Sequence, residues 1–575
     1  MNSIKKYFFG FIIILFVMFP VYGQEDNQVL KAAKYLEERG EVDFKIVSND
    51  RQLINKLSGI LSVVNVNGNV VTCNANADEF IKFLGLGKEY VVIPPAGYYC
   101  KPGDYKGVIE DWQTYPTYEE YDSLMHAFVT KYPDICKIDT IGYSVEDRLL
   151  LGLKISDNVI ETEKEPEVFL TSTMHGDETG GYILMLRLID YLLENYSSQT
   201  RITSLIDSLQ IWINPLANPD GTYAGGNNTV YSSTRRNANS VDLNRNFPDP
   251  QDGPHPDGYD YQPETISMME FMTKHNFVIS ANFHSGAEVV NYPWDTWYRL
   301  HADDLWFKFI SREYADTVHQ YSTGYMTGFD NGITNGADWY LINGGRQDWV
   351  TYFIQGREVT IELDNTKTTP VNDLDNLWNY NYRSFLNYIS QALYGIHGEV
   401  TDSVTGQPLK AEVWVNEHDQ GQDSSQVFSD SLTGKYFRLI NEGIYNLKIT
   451  SDGYQEKRID SISVKNYQTA NISIQLVPIG FGISEEIFDE QQMLNLYPDP
   501  VSGILFTEIK PEKPGIFTIE IIGIDGRILK TIDKINIPNG GTVVNIDVSK
   551  LSGGIYFIRL RNNNKVWVKK FIKSE

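Results

Sequence analysis

Among the nine histidines of the chain, only His175 is followed three positions later by a glutamate, in Thr173-Met174-His175-Gly176-Asp177-Glu178. Imidazole nitrogen and carboxylate oxygen together suit a tetrahedral Zn²⁺; a loop histidine simply paired with a loop acid is the plainer alternative. A third donor is offered by His284, which ends the apolar run Phe277-Val278-Ile279-Ser280-Ala281-Asn282-Phe283 and precedes Ser285-Gly286. Between these candidates lies Arg235-Arg236-Asn237-Ala238-Asn239-Ser240-Val241-Asp242-Leu243-Asn244-Arg245-Asn246-Phe247-Pro248, with three arginines and four asparagines. Forked cations and amide donors in one stretch suit a bidentate grip on a carboxylate, and a solvated loop is the other reading. Glu362 interrupts the apolar run Val359-Thr360-Ile361-Glu362-Leu363. A carboxylate in a buried strand is costly unless paired or used. Either a general base of raised pKa beside a metal-activated water or a structural ion pair would account for it.

Such side chains act together only if a scaffold aims them at one place. From Trp112 to Tyr394 short apolar strands alternate with amphipathic helices: Val168-Phe169-Leu170, a helix over Tyr182 to Leu193 after Gly180-Gly181, then Leu209 to Ile213, Phe277 to Phe283 and Val359 to Leu363. That alternation predicts an α/β domain with a mixed, mostly parallel sheet flanked by helices. In such sheets the ligand site lies beyond the carboxyl ends of the strands, which is where His175, Glu178 and His284 fall.

The rest of the chain reads as separate modules. At 575 residues the length suggests about four domains. Lys5 and Lys6, an apolar run from Tyr7 to Pro20 and Val21-Tyr22-Gly23 predict a signal peptide over residues 1–23. Residues 24–108 predict a small α+β unit, with helices over Val29 to Glu38 and Asp78 to Leu84 and strands at Val42 to Val47, Val63 to Val66 and Tyr90 to Ile93. It is expected to be either a removable propeptide, with Lys101 to Lys106 as the cut region, or a permanent accessory domain. The catalytic candidate spans 109–394. Residues 395–477 and 494–575 predict two β-sandwich domains, joined by an acidic linker over 478–493. With 49 Lys+Arg against 75 Asp+Glu, the net charge of −26 argues against a nucleic-acid partner. Three cysteines, Cys73, Cys100 and Cys136, allow at most one disulfide; Cys73 and Cys100 flank one short segment and are expected either to pair or to stay as unlinked buried thiols. Beyond the signal peptide no run is apolar and long enough for a transmembrane helix.

Taken together, residues 112–394 resemble the zinc metallocarboxypeptidases, most closely the regulatory branch that includes carboxypeptidases D, E and N. The resemblance is carried by His175-Gly176-Asp177-Glu178, Asn218-Pro219-Asp220-Gly221, Asp242-Leu243-Asn244-Arg245-Asn246-Phe247-Pro248-Asp249 and Gln262-Pro263-Glu264-Thr265. It continues through His284-Ser285-Gly286 with Asn291-Tyr292-Pro293-Trp294-Asp295, Thr334-Asn335-Gly336-Ala337-Asp338-Trp339-Tyr340, Gly344-Gly345-Arg346-Gln347-Asp348-Trp349 and Glu358-Val359-Thr360-Ile361-Glu362-Leu363. It implies one Zn²⁺ held by His175, Glu178 and His284, with Asp242 orienting a ligand histidine. It implies Asn244 and Arg245 on the substrate's terminal carboxylate, Arg235 (or its neighbour Arg236) at the scissile carbonyl, Tyr340 closing over the terminal residue and Glu362 as general base and acid. Asp295 and Gln347 stand where the branch recognises a basic side chain, so hydrolysis of a C-terminal Lys or Arg is expected. Arg346 beside that pocket is a cation that would weaken it.

Residues 395–477 resemble the transthyretin-like β-sandwich of the same branch. Leu496-Tyr497-Pro498-Asp499-Pro500, Gly503, Leu551-Ser552-Gly553-Gly554-Ile555-Tyr556-Phe557 and Lys570-Phe571-Ile572 resemble the C-terminal sorting domain of type IX secretion cargo, with Asp499 in place of the usual Asn. The expected partners are therefore peptide or protein C-termini and the secretion machinery, and the expected location is extracellular, free or at the cell surface. Two other functions remain open on this reading: a zinc amidohydrolase of the same fold acting on peptidoglycan peptides, and an inactive surface-binding protein.

Overall fold

Apolar residues at alternate positions carry Glu41-Val42-Asp43-Phe44-Lys45-Ile46-Val47 into the first sheet as strand β1 (Glu41–Val47). The structure is a computed structural model that describes residues 25–96, 112–479 apart from residue 162, and 493–574 apart from residues 512, 525 and 563–565. The expected signal peptide, Cys100, the segment Lys101 to Lys106 and most of the acidic linker lie outside the described residues. β1 joins β2 (Ser62–Asn67), β3 (Val70–Asn76) and β4 (Val91–Val92) in an antiparallel sheet of order β2-β3-β1-β4, with helices Glu25–Arg39, Arg51–Ser58 and Ala77–Leu84. Asn76 and Glu79 form a capping box that starts the third helix. Phe44, Phe80 and Phe83 fill the core, and the same buried cluster continues through Val63 into Val289, Trp339 and Tyr340 of the next domain. The first domain therefore shares its apolar core with the cleft region.

The second sheet holds β5 (Cys136–Tyr143), β6 (Leu149–Ile155), β7 (Glu167–Ser172), β8 (Gln210–Asn214), β9 (Phe277–His284), β10 (Ala287–Tyr292), β11 (Ile333–Asn335) and β12 (Arg357–Asp364). Its order is β11-β10-β12-β9-β7-β8-β6-β5. The pairs β7–β8, β7–β9, β9–β12 and β10–β11 are parallel, and β5–β6, β6–β8 and β10–β12 are antiparallel. β8 and β9 are buried along their whole length, which is why they read as mainly apolar rather than alternating. Val168 and Leu170 face a cluster with helices Gly180–Asn195, Asp304–His319 and Leu374–Ser390, while Phe169 faces a second with Pro263–Lys274 and Arg346–Phe353. In the parallel register Glu362 lies beside His284, so two of the chemically distinctive residues meet at one sheet edge.

The β-sandwich that follows pairs Gly395–Asp402 with Lys435–Arg438, Thr469–Asn471 and Ile474–Leu476, against a sheet of Val427–Phe428, Glu412–Val415, Gly443–Thr450 and Lys457–Val464. It is tied to the α/β domain through Asp303, whose buried carboxylate accepts from Arg357 Nε at 2.9 Å and from Arg438 Nη1 and Nη2 at 2.9 and 2.8 Å. The C-terminal unit, residues 480–575, has antiparallel sheets of three and four strands that enclose Leu505, Phe517, Ile558 and Phe571. Cys73 and Cys136 are buried free thiols. Among the described residues no helix is long and apolar enough to cross a membrane.

Candidate active site

The chain leaves β7 through Thr173, at φ 61°, a left-handed conformation unusual for a β-branched residue. The loop that follows is pressed against Asn218-Pro219-Asp220-Gly221. A Cβ on Gly176 would stand 2.2 Å from the Gly221 carbonyl carbon, so glycine is required there. His175 and Glu178 then meet His284 at the end of β9. His175 Nδ1 lies 3.0 Å from Glu178 Oε1, His284 Nδ1 lies 2.8 Å from Glu178 Oε2, and the two Nδ1 atoms are 3.0 Å apart. His175 Nε2 is 3.0 Å from Asp242 Oδ1. Burial alone would raise the Asp242 carboxyl, but Arg235 and His175 hold it well below the usual carboxylate range. An ionised Asp242 takes the Nε2–H and leaves Nδ1 of His175 as a lone pair. Burial pushes His284 down to about 4, so this imidazole is neutral near pH 7. Two imidazole nitrogens and a carboxylate converging this closely fit Zn²⁺ in donor type and number.

Around this triad the structure gathers most of the residues expected from the sequence. Arg235, Asn244, Arg245, Tyr340, Asp295 and Glu362 line one small cavity with His175, Glu178 and His284. Arg235 Nη1 contacts Glu178 Oε1 at 3.2 Å and its Nε contacts Asp242 Oδ2 at 2.9 Å. Arg236 turns away from the cavity. Glu362 forms no ion pair among the described residues, and its Oε2 is buried without a partner. Burial, then the charge of Glu178, pushes its carboxyl well above the ordinary range. Arg245 donates from Nη1 to the Asn244 carbonyl at 2.8 Å, and its buried Nε–H has no acceptor among the described residues. A groove of about 680 Å³ lies at the opposite ends of the strands, by Glu167, His275 and Arg357, remote from these groups.

Asp295 is pushed up to about 6, chiefly by burial. Its Oδ1 accepts from Asn291 Nδ2 at 2.9 Å. Gln347 is buried with both amide atoms unpartnered. Arg346 does not enter this pocket: its guanidinium pairs with Glu358 at 2.9 Å and both side chains are fully buried, so the expected weakening of the pocket has no structural basis. Lys367, which the sequence did not single out, pairs with Asp177 at 2.9 Å and accepts from Thr179 N, tying the His175 loop to the chain after β12. A lysine five positions past Glu362 was the only signal for it.

Strand β2 of the first domain lies in the cleft. Arg245 Nη2 donates to the Val63 carbonyl at 3.1 Å, Tyr340 Oη to the Val64 carbonyl at 3.1 Å and Trp339 Nε1 to the Val66 carbonyl at 3.2 Å. Ser62 Oγ donates to Asp242 Oδ2 at 2.6 Å. Glu41 accepts from the main-chain N–H groups of Arg235 and Arg236 at 3.0 and 3.3 Å. Arg236 forks onto Glu79 at 3.1 and 2.6 Å. The space left beside the triad is about 20 Å³, room for one water.

Comparison with known proteins bears on this geometry. Residues 121–384 match the family model described as zinc carboxypeptidase, and residues 495–574 match the secretion system C-terminal sorting domain. The first domain lies outside both matches. Human carboxypeptidase D is 34% identical over 378 residues, 63% of this chain and 26% of its own length. Carboxypeptidase M of Mus musculus is 35% identical over 357 residues, 58% of this chain and 78% of its own. The human carboxypeptidase N catalytic chain is 34% identical over 381 residues, 60% of this chain and 82% of its own. The chain thus spans about a quarter of the carboxypeptidase D chains but most of the shorter relatives. Carrying that domain together with a sorting domain, the chain belongs to the zinc carboxypeptidase family.

Proposed function

We propose that the chain is an exported zinc exopeptidase that removes a C-terminal Lys or Arg from peptides and proteins, and that its first domain keeps it closed until the connection over residues 97–111 is cut. The observation that carries the exopeptidase reading is Arg245, a buried guanidinium whose Nε–H has no acceptor among the described residues. A free chain terminus supplies the carboxylate it lacks, and an internal peptide bond does not.

His175, Glu178 and His284 would hold one zinc ion, which when bound supplies a Lewis acid that acidifies water and polarises a carbonyl. Asp242 keeps His175 in the tautomer that presents Nδ1. Glu362, buried and unpaired, takes the proton of the attacking water and returns it to the departing amine nitrogen. Arg235 presents N–H donors where negative charge grows on the carbonyl oxygen. Asn244 and Arg245 grip the terminal carboxylate, and Tyr340 closes over the terminal residue. Asp295 and Gln347, a buried carboxylate and an unpartnered amide, suit a guanidinium or ammonium. The clamp favours ordinary peptide ends over the peptidoglycan alternative, and retention of all three donors and the base favours an enzyme over an inactive binding protein.

Closure is supported by the carbonyls of Val63 and Val64 on Arg245 and Tyr340: strand β2 sits where a terminal residue would. The sorting domain supports export, with the signal peptide over 1–23 for the first step and release or surface attachment at the last. Activity of the cut chain on peptides ending in Arg, lost on chelation and regained with Zn²⁺, tests the reading; hydrolysis indifferent to chelation overturns it.

A further inference from the structure

The chain buries more carboxyl groups behind the side-chain pocket than one acid accounts for. Asp249, Asp295 and Asp348 are each no more than 2% exposed. Among the described residues none of the three forms an ion pair with Lys or Arg. Asp348 accepts the main-chain N–H of Asp295 at 3.1 and 3.0 Å on its two oxygens and that of Thr296 at 2.8 Å. Asp249 accepts from Thr296 Oγ1 at 3.0 Å and from Gly344 N at 2.9 Å. The two acids therefore bind the loop carrying Asp295 to Gly344 and to the helix Arg346–Phe353 that carries Gln347. On the other side Asp295 is packed against Gly336, where a Cβ would stand 1.7 Å from its Oδ1. Its carboxylate has no freedom to turn elsewhere.

We propose that Asp348 is a positioning residue for the specificity pocket: it fixes Asp295 through the main chain and sets a second ionisable carboxyl group behind it, so that the pocket takes a cationic side chain in preference to a neutral one. This rests on reading Asp295 and Gln347 as the pocket for the terminal side chain. The electrostatics run the same way. Burial, then Asp295 and Asp249, pushes the Asp348 carboxyl far above its ordinary range. The other charges facing the group are Arg245, Glu362 and the mutually paired Arg346 and Glu358. Of these only Arg245 is an uncompensated cation, and the substrate carboxylate claims it. An incoming guanidinium supplies the missing positive charge and displaces a proton from the carboxyl group to solvent.

The test uses the full-length chain, cut in the 97–111 connection if the uncut chain is inactive. Asp348→Asn keeps the shape, removes the group that can ionise and leaves one oxygen for two N–H groups. The ratio of kcat/KM for Arg-ending over Leu-ending peptides is expected to fall about 10- to 100-fold, through KM. A ratio unchanged within about threefold overturns the proposal. Asp295→Asn run in parallel separates the two readings: if the ratio survives that change the pocket itself is misassigned, and if it collapses there but survives Asp348→Asn only the role of Asp348 fails. Should Asp348→Asn not fold, calorimetry on the unaltered chain decides. Binding of free arginine near pH 6, in buffers of different ionisation enthalpy, is expected to release protons where leucine releases none; arginine binding without proton release overturns the proposal.

Discussion

The pairing of Arg236 with Glu79 offers the sharpest test of closure by the first domain. Glu79→Gln keeps the size of the side chain and its part in the capping box, since glutamine serves there as well. What it removes is the anion that faces Arg236 across the domain boundary, in a pair only 2% and 11% exposed. Stripping one partner from a buried ion pair costs about 3–5 kcal/mol. Arg236 keeps Asn74 Oδ1 at 3.0 Å and Ser62 Oγ at 3.2 Å, so the lower figure applies, about 3 kcal/mol. Once the domain lifts off, Arg236 is solvated and the cost disappears, so all of it falls on the closed form. At about 1.4 kcal/mol per tenfold, the opening constant rises roughly 100-fold. The assay is the residual activity of the uncut chain, as a fraction of the same chain after the connection is cut. That fraction is expected to rise about 100-fold in Glu79→Gln, up to the ceiling of the cut form, while the two cut forms match. A fraction equal to that of the unaltered chain refutes the docking argument.

Glu362→Gln should lower kcat by about 10²- to 10⁴-fold with zinc content per chain unchanged by elemental analysis; retained turnover would remove Glu362 from the reaction. Arg245→Ala should lower kcat/KM for free-acid peptides about 100-fold and erase their advantage over the same peptides as C-terminal amides. Burial, then Asp177 and Asp43, pushes docked Glu41 up to about 7, above the 4.5 of the free side chain. The docked form thus holds the extra proton, so docking is strongest below pH 4.5 and weakens as the pH rises through 7. Residual activity of the uncut chain relative to the cut chain should climb over that window, and a flat or falling ratio would contradict the linkage.

The chemistry was legible because its residue types are costly anywhere else. A carboxylate in an apolar strand, a histidine at a strand end and arginines in an acidic chain each demand a reason, and Glu362, His284 and Arg245 meet at one sheet edge. The β7 and β9 strands were readable from the apolar stretches Val168-Phe169-Leu170 and Phe277-Val278-Ile279, since both faces are covered. What the sequence could not disclose depends on long-range partners. Arg346 looks like a cation beside the pocket until Glu358, on the neighbouring strand, claims it. The blockade by β2 runs through the carbonyls of Val63 and Val64, which every residue possesses, so no side-chain pattern announces it. Asp348 lies in the first turn of a short helix, beside Trp349, and reads as an ordinary first-turn acid. Only the fold brings the N–H groups of Asp295 and Thr296 onto it.

The most direct test of the central claim is mass spectrometry of a peptide ending in Arg, offered as the free acid and as the amide to the zinc-loaded, cut chain. The acid is expected to shorten by one Arg while the amide stays intact. Internal cleavage, or equal hydrolysis of acid and amide, would contradict it.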